Sequence, residues 1–113
     1  MTTKTAKTPA GINGAEYAPK TLAAAQLIAH DLAGLVAYSP RHGWVTRDVR
    51  DDPWSMKSAE AIMTRRAIAA LRLAGHVGPT PRPRVRSVLN AARQLPELAA
   101  PPAAELGHLT PRR

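Results

Sequence analysis

Seven arginines in the second half of the chain are the residues whose type and spacing best suit a chemical task. They are Arg65, Arg66, Arg72, Arg82, Arg84, Arg86 and Arg93. Guanidinium groups stay charged and donate several hydrogen bonds, so a cluster of them can bind phosphate oxygens. Residues 57–93 hold these seven and Lys57 against a single acid, Glu60, in a chain whose net charge is +8. The cluster predicts contact with nucleic acid, and a solvated basic surface is the plainer interpretation.

Aromatic side chains are the second set that could act on nucleic acid. Trp44 and Tyr38 could stack on unpaired bases if their rings were exposed. However, the 113 residues include only two tryptophans and two tyrosines, and no phenylalanine. An alanine-rich core needs large apolar anchors, so we expect Tyr38, Trp44 and Trp54 to be buried instead.

The residues that support enzymatic chemistry are scarce. The chain has no cysteine, which excludes disulfides and thiolate ligands. Its four histidines are scattered singly, and neither a phosphate-binding GxxxxGK[ST] loop nor a GxSxG elbow is present. The acids Asp48, Asp51 and Asp52 alternate with arginines, which favours local salt bridges or helix capping over a metal site. The sequence therefore predicts no catalysis, no metal and no cofactor.

A helix and a hairpin are predicted to come before most of the arginines. The helix should begin near Thr21, which can serve as N-cap after Pro19, and end near Gly34. Its apolar face repeats at helical spacing through Leu22, Ala25, Ile28, Ala29, Leu32 and Val36. Residues 35–38 and 44–46 then flank a loop with proline and glycine, which indicates a β-hairpin that contains Trp44.

Two further helices are predicted to carry the arginines themselves. One covers residues 58–74, with Ser55 or Ser58 as its cap and Gly75 as its stop. The other covers residues 83–95. The predicted fold class is mainly α with a small β-hairpin (α+β), in which three helices pack with one Trp-containing hairpin.

The chain length and composition predict one small domain with two extensions. We expect a disordered basic arm at residues 1–20, a single domain at residues 21–98 and a flexible Pro/Ala-rich tail at residues 99–113. No apolar run approaches the roughly 20 residues of a membrane span, and the N-terminus lacks a signal-peptide core. These features favour a cytoplasmic protein that does not contact a membrane.

The order of these elements resembles a family. Three features carry the resemblance: the pair Gly43-Trp44 in the hairpin, a second tryptophan at Trp54 after a polar turn, and the string RVRSVLNAARQLPELAAPPAAEL at residues 84–106. Together they are similar to the small helical region that precedes the helicase domain in phage and plasmid DNA primase/helicase proteins. That region is of the poxvirus-type primase-helicase N-terminal kind. The resemblance covers residues 22–106 and stops short of the ATP-binding module. It implies an accessory fold and a replication context, without unwinding or primer synthesis.

Three functional hypotheses follow from the charge and the resemblance. The first is a small phage or prophage accessory protein of DNA replication that binds DNA with low specificity through its arginines. The second is a protein-interaction module that docks on, or inhibits, a replicative helicase or primase. The third is a small prophage transcriptional regulator with a helix-turn-helix, although the joint between the last two helices is longer than the usual turn. Self-association stays open in all three.

Overall fold

The computed structural model describes residues 17–109, which form three packed helices, one hairpin and a short C-terminal helix. The elements are α1 (Pro19–Leu32), β1 (Val36–Ser39), β2 (Gly43–Thr46), α2 (Ala59–Leu73), α3 (Arg82–Ala92) and α4 (Ala103–Leu106), with a 3-10 helix at Pro96–Leu98. The strands are antiparallel, and Tyr38 pairs with Trp44. The predicted fold class, mainly α with one small Trp-containing hairpin, is confirmed.

Alanine determines how closely the three long helices pack. Ala25 of α1, Ala67 of α2 and Ala91 of α3 are completely buried, and such small side chains let helix backbones approach one another. Larger side chains fill the remaining space, and Trp44 of the hairpin joins the same core with 6% of its surface exposed. The predicted role of Trp44 as a core anchor is confirmed.

The start of α1 differs from the prediction. Ala18 is the N-cap and Pro19 is the first helical residue, a position that suits proline because its fixed φ matches the helix and its missing N–H has no partner there. Thr21 is a buried helical residue rather than the cap. Val36 belongs to β1 and not to the helix face, because Gly34, with a φ of 84°, turns the chain after the helix ends.

The ends of α2 test two further predictions. Gly75 has a φ of 105°, and the N–H of His76 donates to the carbonyl of Leu71 at 2.9 Å, which is the Schellman arrangement expected of a glycine stop. Ser58 occupies the N-cap position, as predicted, but its φ is 60° and its side chain makes no capping hydrogen bond. The hydroxyl of Ser55 instead accepts the backbone N–H two residues later at 3.0 Å.

The segment after Leu98, predicted as a flexible tail, packs on the hairpin through residue 109. Leu106 is 3% exposed and joins Trp54 in a second apolar cluster. The indole Nε1 of Trp54 donates to Glu105 at 3.3 Å, and the backbone oxygen of Trp54 lies 2.8 Å from the His108 ring nitrogen. The domain boundary therefore moves beyond residue 98, because the outer face of the hairpin needs an apolar cover. Most of the basic arm predicted at residues 1–20 lies outside the described residues.

Truncating Leu106 should uncover Trp54. We expect Leu106→Ala to shift the tryptophan emission maximum to longer wavelength, since Leu106 is a buried member of the small cluster around that indole. The far-UV circular dichroism should change little, because α4 has only four residues. Leu73→Ala is the control, as Leu73 is 75% exposed and should leave the emission unchanged. An unchanged spectrum for Leu106→Ala would contradict the packed C-terminal segment.

Candidate nucleic-acid interface

A groove of about 800 Å³ runs between α2 and α3. One wall comes from α3, the other comes from α2, and the aromatic pair of the hairpin forms its floor. The lining residues are Arg82, Val85, Arg86, Leu89 and Asn90 of α3, its C-cap Arg93, Glu60, Thr64 and Ile68 of α2, Tyr38 and Trp44 of the hairpin, and Thr80 of the joint. It is therefore an apolar-floored groove with a basic wall.

Three of the predicted arginines line this groove because their spacing places them on one face of the helix. Residues four and seven apart lie on one face of a helix, and Arg82, Arg86 and Arg93 follow that spacing. The opposite face of α3 carries Val88 and Ala92, both completely buried, so packing of the core turns the arginine face outward. All three arginines are exposed.

Arg93 is held by the hairpin rather than by an acid. Its Nη1 donates to the Tyr38 hydroxyl at 3.1 Å, and its guanidinium carbon lies 5.1 Å from the centre of the Tyr38 ring. Tyr38 in turn meets Trp44 edge to face, with ring centroids 5.3 Å apart. A tyrosine hydroxyl carries no charge, so this contact positions the guanidinium without neutralising it.

The other four arginines lie elsewhere, so the seven arginines predicted to contact nucleic acid do not form one surface. Arg84 is two residues from Arg82, so helical geometry directs it to the far side of α3, beside Tyr17 and Thr21. Arg66 lines a crevice between α1 and α2. Arg65 and Arg72 are exposed on α2, seven residues apart, and neither lines the groove.

The two residues predicted as stacking platforms do not offer open rings. Trp44 is buried at 6% exposure. Tyr38 is half-buried, with Arg93 over its ring and Trp44 against its edge. Both side chains line the groove as its floor, where they position Arg93 and support the α3 wall.

Polar groups that the sequence did not single out complete the groove. Glu60 is the one carboxylate among the residues that line it in the described part of the chain. The Thr80 hydroxyl is buried at its edge without a hydrogen-bond partner within residues 17–109. The four-residue steps from Glu60 to Thr64 and Ile68 place these residues on one face of α2 but do not show that this face meets α3. Thr80 lies in an irregular joint that carries no periodic signal.

Neither a metal centre nor a membrane span is found where the structure can be described. Among residues 17–109, no group of three histidine, cysteine or acidic side chains could hold a metal ion. No helix in the same range combines the length and the apolar character needed to cross a bilayer. The chemistry that the described side chains do supply is a set of exposed cations beside an apolar floor, one of which, Arg93, is held by Tyr38.

Comparison with known proteins adds no family to this description. No protein-family model matches the chain, and neither the curated proteins nor the solved structures include a significant match to it.

Proposed function

We propose that this protein binds DNA in the α2–α3 groove and acts, without catalysis, as an accessory protein of DNA replication in the cytoplasm of a bacterial host. The observation that carries the proposal is the convergence of Arg82, Arg86 and Arg93 on one exposed face of α3. The replication context, with a phage or prophage origin, rests on the resemblance of residues 22–106 to the primase/helicase accessory region.

The balance of charge in the groove supports an anionic ligand. Three guanidinium groups face one carboxylate, that of Glu60. Arg82 is also the first residue of α3, with no acid in the first turn, so its charge adds to the positive end of the helix dipole instead of opposing it. This arrangement disfavours the isolated helix and favours a bound phosphate.

Salt dependence is the direct test of phosphate binding. If the three arginines each contact one phosphate, the logarithm of affinity should fall with the logarithm of salt at a slope of about −2.7, so affinity should drop about 40-fold between 50 and 200 mM salt. The measurement is fluorescence anisotropy of labelled DNA titrated with the full chain at both salt concentrations. Absence of binding at 50 mM salt would overturn the proposal.

A protein-interaction module is the second candidate, and one observation favours it. Leu73 at the end of α2 is 75% exposed, and Val77 in the following joint is 89% exposed. A docking surface built on such side chains for a replicative helicase or primase would persist at high salt, because apolar contact does not depend on counterion release. Retention of a partner at 200 mM salt, without DNA binding, would favour this function over the first.

The helix-turn-helix regulator receives less support from the fold. Residues 74–81 separate α2 from α3, whereas the motif joins its two helices by a turn of about 3–4 residues. The joint is therefore longer than the turn of that motif.

A further inference from the structure

The outward side of α3 presents two kinds of group to a ligand. Pro83 and Arg86 are exposed, Asn90 is half-buried beside them, and Arg82 and Arg93 flank this ridge along the groove. Over its 11 residues, α3 is about 16 Å long. The ridge thus presents the Arg86 guanidinium and the Asn90 side-chain amide. The guanidinium groups of Arg82 and Arg93 lie beside it along the groove.

The groove lacks what single-stranded nucleic acid requires. Binding of single strands without sequence preference relies on bases stacked on open aromatic faces. Trp44 is buried, and the Tyr38 ring is covered by the Arg93 guanidinium. A splayed base would have to displace Arg93, which would remove one of the three cations from the phosphate backbone.

Asn90 carries the group that a base edge would recognise. Its side-chain amide makes no hydrogen bond within the described part of the chain, where only its backbone oxygen is used, as acceptor from Gln94. The Gln94 amide is occupied, since it also donates to the Tyr17 hydroxyl at 2.9 Å. An asparagine amide can make two hydrogen bonds to adenine in the major groove.

From these features we infer that the ligand is double-helical DNA, with the α3 ridge in the major groove, Asn90 on base edges and one strand's phosphates in the α2–α3 groove. The inference rests on the proposed function and specifies its ligand. The B-DNA major groove, about 12 Å wide, admits one helix. The major groove of double-stranded RNA is too deep and narrow for side chains to read.

The experiment compares four labelled probes of one sequence, namely a DNA duplex, each of its two single strands and an RNA duplex, by anisotropy at 50 mM salt. The DNA duplex should bind about 6-fold more tightly than a single strand from the counterion term of three phosphate contacts alone. The RNA duplex should bind more weakly than the DNA duplex. Equal or tighter binding of the single strand would overturn the inference while leaving the proposed function intact, and failure of every probe would overturn the proposed function itself.

A duplex library with randomised positions then tests Asn90. Wild-type protein should prefer its best sequences by about 5-fold or more at one position, and Asn90→Ala should abolish that preference by lowering the affinity for those sequences to that of the others. Gln94→Ala is the matched control, because it removes an amide that is already hydrogen-bonded, and it should keep the preference. Loss of the preference in both variants, or in neither, would overturn the role of Asn90.

Discussion

Replacing Arg82 and Arg86 together by alanine should weaken DNA binding about 200-fold at 50 mM salt and about 20-fold at 200 mM salt. The two values follow if each arginine contacts one phosphate, because each contact contributes a factor that grows as salt is diluted. The slope of log affinity against log salt should become shallower by about 1.8. The double variant should still fold, since both side chains are exposed on α3 and removing a cation from a helix N-terminus favours the helix.

The matched control removes the same charge from a different surface. Arg65 and Arg72 are exposed on α2 and do not line the groove, so Arg65→Ala/Arg72→Ala lowers the net charge equally. This control should lose far less affinity and keep most of the salt slope. Equal losses in the two double variants would mean that DNA responds to total charge alone, and the groove would no longer be the binding site.

The sequence predicts one wall of the site but not the other. The seven arginines were visible as one cluster because they are close along the chain, but a helix separates residues such as Arg82 and Arg84 onto different sides. The helical spacing of Arg82, Arg86 and Arg93 can be recognised in the sequence and indicates that they share one face. The opposite wall was not, because the approach of Glu60 and Ile68 to α3 depends on how α2 and α3 cross.

The fold was predictable where local rules operate alone. The glycine stop at Gly75 and the hairpin around Trp44 needed only turn chemistry and alternation. The packing of residues 99–109 was not predictable from their Pro/Ala-rich composition, because their apolar contacts depend on Trp54 and on the outer face of β2, far away in the chain. His42 lies in the hairpin loop, where side chains are usually exposed, yet it is buried with its Nδ1 3.0 Å from the Ser39 hydroxyl.

Leu71→Ala should destabilise the domain by about 2–5 kcal/mol, because it deletes a completely buried side chain and leaves a cavity. Folded domains of this size are stable by only about 5–15 kcal/mol, so the loss is a large share of the total. Leu73→Ala is the same substitution two residues along the same helix, at a side chain 75% exposed, and should change stability by less than about 0.5 kcal/mol.

Urea denaturation followed by circular dichroism measures both variants against wild-type protein, and the midpoint should move for Leu71→Ala alone. Because both substitutions replace leucine by alanine within α2, helix propensity contributes the same small term to each and cancels in the comparison. The difference therefore isolates the burial that the three-helix packing imposes on one leucine and not on the other. Equal shifts of the two midpoints would show that Leu71 is not buried in the core that the three helices share, and the packing of α2 that forms one wall of the groove would fail with it.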